Sequence, residues 1–369
     1  MTGPGGRSDQ HAGPPPWAYA AALAGLPFMG WDRLAELLAG RDPAAAWRHV
    51  IAGGAGPALA RAAAPVAVPA VAEAHRRAGV AVAVLGDGGY PAALAGDHEA
   101  PPVLFLQGEP AALAAPRAAV VGTRRCTAYG RDVATGLGRD LARAGVAVVS
   151  GLALGIDGAA HRGALAAAGA APVAVVGSGH DVIYPRRNRD LWAAVAAAGL
   201  VLSEAPLGAR PEPWRFPARN RLLAGLAQVV VVVESHATGG SLHTVRAAEA
   251  RGVPVLAVPG PVRSPASAGT NRLLADGCAP ACDSADILVA LSLATAGAPP
   301  PAPPPDPLAP DEAAVLDALG YEAVALEALL ARTGLGPAAV AVALAHLEQA
   351  GRARRTGGFW ERAAAGAQG

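Results

Sequence analysis

The 369-residue sequence contains no lysine, so all 30 of its basic side chains are arginine. A P-loop ATPase needs a lysine on the nucleotide phosphates, and the absence of lysine argues against that class. A GC-rich coding bias would explain the usage. Arginine nevertheless has a chemical consequence, because its planar guanidinium binds phosphate oxygens in pairs and stacks on aromatic rings.

Cysteine is also scarce, with three residues at positions 126, 278 and 282. Three thiols cannot form a disulfide framework, which fits a reducing compartment, and Cys278 and Cys282 lack two further metal ligands nearby. We therefore expect a cytoplasmic protein with no metal and no cofactor.

Hydrophobic residues reach 52%, but charged residues or proline interrupt each long apolar run before about 18 residues, so no membrane-spanning segment is predicted. The N-terminus has no apolar core typical of a signal peptide.

Short apolar runs that end in small and polar residues organise the middle of the chain. Helix-length segments separate them, a pattern that predicts βαβ units in a parallel sheet with right-handed crossovers. From residue 118 onward the predicted strands of this series are 119–122, 146–151, 172–177, 200–203, 229–234 and 254–258. Two further strands are predicted before it, at 79–86 and at 101–108, the second opened by prolines. In such sheets, ligands bind outside the carboxyl ends of the strands.

The composition divides the chain into five regions. They are a disordered tail (1–16), a small helical domain of helix-hairpin-helix or SAM-like type (17–75), an α/β core (76–292), a proline-rich linker (293–308) and a winged-helix-like domain (309–363). The helical domain is equally compatible with a plain helical cap, because hairpin glycines are weak evidence. Winged-helix modules bind either duplex DNA or protein, and the sequence leaves both open.

Two loops at predicted strand ends are candidate anion sites. Gly122, Thr123 and Arg124 precede a helix predicted to begin near Ala128, and backbone N–H groups at a helix N-terminus attract anions. The alternative is an ordinary turn. The second loop contains Ser150, Gly151, Leu152, Ala153 and Gly155.

Asp157 and His161 follow the second loop. Asp157 suits a helix N-cap, and the spacing of the two residues allows a hydrogen bond between them. A Ser150-His161-Asp157 triad is conceivable, but no oxyanion loop is evident, and a structural role for Asp157 and His161 is favoured.

Two similar arginine-rich motifs form the densest signal. The first is Tyr184-Pro185-Arg186-Arg187-Asn188-Arg189, and the second is Phe216-Pro217-Ala218-Arg219-Asn220-Arg221. Seven arginines and three acidic residues lie between Arg186 and Arg221. Rings interleaved with arginines suit single-stranded nucleic acid, whose phosphates bind guanidinium groups and whose bases stack on rings. A solvated arginine face is the alternative.

A last loop closes the strand at 229–234. Ser241 and nearby backbone N–H groups would form another anion site, and Glu234 would either cap this loop or act as an acid. No Gly-x-Gly-x-x-Gly follows the first strand of the βαβ series, which disfavours a dinucleotide cofactor.

The order of these motifs resembles the DNA-processing protein A family (DprA, also called Smf). The matching motifs are Val121-Gly122-Thr123-Arg124, Ser150-Gly151-Leu152-Ala153 with Gly155-Ile156-Asp157 and His161, Tyr184-Pro185, Ser203-Glu204, Phe216-Pro217 with Arg219-Asn220-Arg221, and Val258-Pro259-Gly260. They span roughly residues 80–290. Departures from the family pattern occur at Arg186, at the loop 238–244 and at 277–279.

The resemblance implies an extended Rossmann fold, single-stranded DNA binding without sequence preference, a homodimer and loading of the RecA recombinase during natural transformation. The family's DNA contacts would map onto Arg124, the Ser150–Gly155 loop, Arg186 and Arg219 to Arg221. A nucleotide-processing enzyme related to phosphoribohydrolases is the alternative, because Glu234 and the loop 239–244 loosely resemble the site of those enzymes.

Overall fold

A computed structural model gives the fold and describes residues 13–292, 308–319 and 324–363. Most of the predicted tail and of the predicted proline-rich linker lies outside the described residues. The helix α1 begins at Pro16, one residue inside the predicted tail, because proline suits the first turn of a helix.

The N-terminal domain is helical, as predicted, and consists of five helices. Its helices are α1 (Pro16–Ala24), α2 (Trp31–Leu38), α3 (Pro43–Ile51), α4 (Pro57–Ala63) and α5 (Val68–Arg77). Leu23, Trp47 and Val50 are buried together with Val84 and Phe105 of the first two strands. The helical domain therefore shares its core with one edge of the sheet.

A nine-stranded sheet forms the centre of the molecule. Its strands are β1 (Ala81–Val84), β2 (Val103–Gly108), β3 (Arg117–Val121), β4 (Ala147–Ser150), β5 (Val173–Val176), β6 (Leu200–Ser203), β7 (Val229–Val232), β8 (Val255–Ala257) and β9 (Ala279–Pro280). The order is β1-β2-β6-β5-β4-β3-β7-β8-β9. All eight predicted strands form. The sheet is parallel from β6 to β9, but β1 and β2 pair antiparallel, and β9 was not predicted.

Helices cover both faces of the sheet, which explains why every residue of β4, β5, β6 and β7 is buried. They are α6 (Ala92–Ala95), α7 (Ala128–Arg143), α8 (Ile156–Leu165), α9 (Arg189–Ala198), α10 (Arg215–Leu226), α11 (Leu242–Glu249), α12 (Ala268–Ala275) and α13 (Ser284–Ala290). The chain runs outward from β3 through β4, β5 and β6, and then returns to β7 on the other side of β3. The loops after β3 and β7 therefore diverge at the switch point where such folds bind ligands.

The described residues of the C-terminal domain form three helices and a two-stranded wing, in agreement with the predicted winged-helix-like domain. These are α14 (Pro310–Ala318), α15 (Leu326–Thr333), α16 (Pro337–Gln349), β10 (Ala353–Thr356) and β11 (Phe359–Arg362). Leu316, Leu329 and Leu344 contribute to a core of its own. Among the described helices, none alone is long and apolar enough to cross a membrane; α15 and α16 pass that test only as a pair bent by 109°.

Glycines let α7 and α8 approach each other closely. A Cβ atom at Gly138 would lie 2.2 Å from the carbonyl oxygen of Ala160, and one at Gly163 would lie 2.0 Å from that of Thr135. At Gly136, on the same helix as Gly138, the nearest atom would be 4.0 Å away. Both helices begin beside the carboxyl ends of β3 and β4, so their contact positions the loops there.

We expect Gly138→Ala to lower the free energy of unfolding by about 1–3 kcal/mol, because the added methyl group overpacks the contact between the helices. Gly136→Ala, the matched control, should raise it by up to about 1 kcal/mol, since alanine favours a helix interior. Urea unfolding followed by circular dichroism measures both values. Equal effects of the two substitutions would contradict this account of the helix contact.

Candidate nucleic-acid interface

A cavity of about 810 Å³ opens at the switch point of the sheet. It is lined by the loop after β3, by Ala153 and Asp157 near the start of α8, by Tyr184, by the first turns of α10 and by the loop after β7. The fold thus brings together residues from motifs that lie as much as 120 positions apart. Of the predicted site residues, this cavity is lined by Gly122, Thr123, Arg124, Ala153, Asp157, Phe216, Arg219, Asn220 and Ser241.

Arg124, Phe216 and Tyr184 form an accessible cluster at this cavity. The guanidinium carbon of Arg124 lies 4.6 Å from the centre of the Phe216 ring, and the rings of Phe216 and Tyr184 are 5.6 Å apart. Arg124 is exposed, and Tyr184 is 43% exposed. A second cavity of about 40 Å³ lies behind the same three side chains. The cluster therefore presents a cation and two aromatic rings at the cavity, two of them from separate loops and Phe216 from the first turn of α10.

Arg219 forms part of the cavity floor and is 6% exposed. Its guanidinium donates a 2.6 Å hydrogen bond to the Val175 carbonyl oxygen and lies 3.6 Å from the Asp157 carboxylate. Burial lowers the pKa of Arg219 and raises the pKa of Asp157, and each charge opposes the shift of the other. A Cβ at Gly151 would lie 1.6 Å from the guanidinium, so only glycine fits beneath it. Arg219 therefore joins β5, α8 and α10.

Other residues of the two arginine-rich motifs lie outside the cavity. Arg221 donates to the Glu204 carboxylate and, over 2.9 Å, to the Glu99 carbonyl oxygen, so it is a buried structural residue rather than an accessible phosphate ligand. Asn188 donates to the carbonyl oxygens of Leu152 and Ala153 and thereby fixes the loop after β4. Arg186 and Arg187 are exposed but do not line the cavity.

Several predicted contact residues are buried for structural reasons. The Ser150 hydroxyl donates a 2.6 Å hydrogen bond to the Val120 carbonyl oxygen, which joins β4 to β3. Leu152 is fully buried, and a Cβ at Gly155 would lie 2.3 Å from the Thr123 carbonyl oxygen. The Ser241 hydroxyl donates to the Ser235 hydroxyl. Of the loop 150–155, only the Ala153 position reaches the large cavity.

Glu234 occupies the N-terminus of α7. Its carboxylate accepts hydrogen bonds from the Thr127 backbone N–H, over 2.9 Å, and from the Thr127 hydroxyl, over 2.5 Å. Glu234 is 1% exposed, and a Cβ at Gly130 would lie 2.2 Å from its Oε2. The expected anion site at this helix terminus is therefore already occupied by a protein carboxylate. The Glu234 side chain thus binds the N-terminus of α7 rather than the loop after β7, and it is not an accessible acid.

The predicted pairing of Asp157 with His161 is wrong. The N-cap of α8 is Gly155, and Asp157 pairs instead with Arg219. The imidazole of His161 is fully buried, and neither ring nitrogen makes a hydrogen bond of normal geometry to the described residues. Burial lowers the pKa of His161 to about 4, although the Ser150 backbone opposes the shift. The conceivable Ser150-His161-Asp157 triad does not form. Ser150 donates to the Val120 carbonyl oxygen, Asp157 pairs with Arg219, and the His161 ring makes no hydrogen bond of normal geometry to the described residues.

The loop after β7 contributes residues that the motif analysis did not single out. His236, Thr238 and His243 line the cavity, and both histidines are exposed. Their position beside Gly239 and Gly240, directly after a buried strand, is the sequence signal that identifies them.

Comparison with known families agrees with this arrangement. The model of the DNA recombination-mediator protein A family matches residues 81–292, which contain every element of the cavity. The chain belongs to that family. The model of the DprA winged helix domain matches residues 299–358. The resemblance inferred from the motifs is confirmed.

Curated relatives and solved structures support the assignment. The putative DNA processing protein DprA of Mycobacterium tuberculosis is 44% identical over 258 residues, which are 69% of this chain and 66% of the relative, slightly under two thirds. Protein Smf of Escherichia coli is 36% identical over 270 residues, which are 71% of this chain and 72% of that protein.

Two solved structures of the family have similar folds. DNA processing protein A from Streptococcus pneumoniae matches with a TM-score of 0.61 at 30% identity, covering 73% of this chain and 95% of its own. The protein from Helicobacter pylori, whose structure is described in terms of a single-stranded DNA binding mode, has a TM-score of 0.52 at 30% identity, with 57% and 95% coverage.

We expect the stability of His161→Gln relative to the unsubstituted protein to depend on pH. The imidazole of an unfolded chain binds a proton below about pH 6.5, whereas the buried one stays neutral down to about pH 4. The unsubstituted protein should therefore lose up to about 3 kcal/mol relative to the variant as the pH falls through this window. Urea unfolding at several pH values measures the difference. The control is His98→Gln, which replaces an imidazole whose side chain is 63% exposed; parallel pH profiles for His161→Gln and His98→Gln would contradict the prediction.

Proposed function

We propose that this protein binds single-stranded DNA without sequence preference, protects it, and loads the RecA recombinase onto it as a homodimer during recombination or natural transformation. The observation that carries the binding proposal is the accessible cluster of Arg124, Phe216 and Tyr184 at the large cavity. The DNA-binding description of the H. pylori relative supports it. Dimer formation and RecA loading rest on membership of the family.

The cluster suits a single strand because its parts recognise features common to all nucleotides. The guanidinium of Arg124 binds phosphate, and the rings of Phe216 and Tyr184 offer faces on which any base can stack. A duplex keeps its bases stacked on each other and presents none to such rings. The proposal therefore includes a preference for single strands over duplex DNA.

The charge of the cavity supports the same ligand. Arg124, Arg125 and Arg219 line it together with one carboxylate, that of Asp157. Asp157 offsets the buried Arg219, whereas Arg124 and Arg125 are exposed. We propose that these two exposed arginines bind the phosphates, while Arg219 and Arg221 support the loops around them.

We propose a binding role without catalysis. A phosphoribohydrolase-like site would need Glu234 to reach a substrate, but this carboxylate is buried and occupied by Thr127. Its neighbours in the loop after β7 provide backbone and imidazole groups but no accessible carboxylate.

Strand affinity should fall about tenfold in Arg124→Ala, since one charge-assisted phosphate contact and the stacking on Phe216 are lost. Fluorescence anisotropy with a 20-nucleotide oligo-dT at several salt concentrations measures the affinity. The slope of log K against log salt should become less steep by about 0.7, the share of one contact with a single strand. The control is Arg77→Ala, an exposed arginine on α5 that does not line the cavity. Unchanged affinity and slope in Arg124→Ala would refute this binding site.

Deleting residues 308–369 should leave the affinity for oligo-dT within about twofold. The helix α16, which would be the recognition helix of a winged-helix domain, carries no arginine, and Arg354 of the wing is paired with Glu361. The same anisotropy titration on the shortened chain tests this, with circular dichroism to confirm that the core is folded. Complete loss of strand binding by a folded core would show that the C-terminal domain belongs to the strand site.

A further inference from the structure

A third cavity, of about 100 Å³, lies where the N-terminal helical domain meets the sheet domain, and we call it the junction cavity. Met29, Gly30 and Trp31 line it from one side, and Trp214 and Arg215 line it from the other. Trp31 is 37% exposed, and Trp214 is 55% exposed. Aromatic residues are only 4% of this chain. Two partly exposed tryptophans at one cavity therefore call for a physical explanation.

Arginine side chains accompany both rings. The guanidinium carbon of Arg215 lies 4.5 Å from the centre of a Trp214 ring, and that of Arg221 lies 5.4 Å from a Trp31 ring. The Trp214 indole N–H donates to the Glu212 carboxylate, which fixes the ring orientation. This arrangement repeats the pairing of Arg124 with Phe216 in the large cavity.

The junction cavity and the large cavity lie on two sides of the first turns of α10. Phe216 and Pro217 line the large cavity, whereas Trp214, Arg215 and Ala218 line the junction cavity. A strand that leaves the Phe216 ring therefore has to pass only the start of one helix to reach Trp214.

Phe28 adds a third aromatic side chain beside this junction. It directly precedes the lining residues Met29 and Gly30, is 93% exposed, and has a φ of +59°. That left-handed backbone conformation is uncommon for a residue other than glycine. Solvent exposure and backbone strain at one phenylalanine are both unfavourable for folding alone, so they point to a role in contact with a ligand.

We propose that the junction cavity is a second base-stacking subsite, which binds a nucleobase of the same single strand that the large cavity holds. This inference rests on the proposed function. Arg221 is paired with Glu204, whose carboxylate also attracts the charge of Arg215, and the Arg215 guanidinium lies over the Trp214 ring. The subsite therefore contributes stacking on a ring rather than an additional phosphate contact.

Two oligonucleotides of the same length separate stacking from phosphate binding. One is a 20-nucleotide oligo-dT, and the other is a 20-nucleotide abasic strand, which has the same phosphates but no bases. Trp214→Ala should lower the affinity for oligo-dT about tenfold, as expected for one lost stacked base. It should leave both the affinity for the abasic strand and the salt slope on oligo-dT unchanged. Val262→Ala, at a residue that is 91% exposed and lines neither cavity, is the control.

Phe28→Gly provides a second variant that does not threaten the fold. Glycine adopts a positive φ without strain, so the thermal unfolding temperature should stay the same or rise. We expect the affinity for oligo-dT to fall severalfold and the affinity for the abasic strand to remain unchanged.

The outcomes distinguish this inference from the proposed function. If the unsubstituted protein binds neither oligonucleotide, the proposed function itself fails. If it binds oligo-dT, but Trp214→Ala and Phe28→Gly bind it equally well, the second subsite is refuted and the exposed aromatics serve another kind of partner. Equal losses on the oligo-dT and abasic strands would also refute it, because the residues would then act on phosphates or on the fold.

Discussion

The buried ion pair between Arg219 and Asp157 is the interaction on which the functional end of the sheet depends. It joins α10 to α8, and the further hydrogen bond from Arg219 to the Val175 carbonyl oxygen ties both helices to β5. Removing one member of such a pair leaves an uncompensated buried charge, which typically costs about 3–5 kcal/mol. The pair also explains why Gly151 has no side chain, since the guanidinium fills that space. A motif residue can thus support a binding loop without being a ligand.

A second buried carboxylate organises the opposite side of the cavity in the same way. Glu234, two residues after the strand β7, caps α7 through Thr127, and its backbone oxygen accepts a 2.8 Å hydrogen bond from the Thr123 N–H. The loop that carries Arg124 is therefore fixed at its base by β7, while the Arg124 side chain remains free to contact Phe216 and solvent. Rigid loop backbones combined with accessible side-chain ends suit a site that must bind many different sequences.

The fold was largely predictable from the sequence, because buried parallel strands leave continuous apolar runs such as Val229–Val232. The antiparallel edge formed by β1 and β2 was not predicted, because the direction in which two strands pair depends on how the chain connects them and not on the periodicity of their residues. At the site, the sequence identified Arg124, Phe216 and Arg219 together, but it could not distinguish exposed arginines from buried ones. That distinction depends on partners such as Asp157 and Glu204, which lie 62 and 17 positions away from Arg219 and Arg221. Asn188 likewise looked like a DNA contact, and its side-chain amide instead holds the loop after β4.

The absence of lysine becomes understandable from the different environments of these arginines. Arg219 and Arg221 each contact several acceptors in fixed directions, and Arg124, Arg215 and Arg221 each lie over an aromatic ring. A planar guanidinium with five N–H donors can serve a carboxylate, a carbonyl oxygen and a ring face at once, whereas an ammonium group is a compact point charge. The same chemistry that supports the buried loops therefore provides the exposed end of Arg124 with its affinity for phosphates and bases. A coding bias toward arginine is compatible with this fold, because the buried Arg219 and Arg221 and the exposed Arg124 all use the geometry of the guanidinium group.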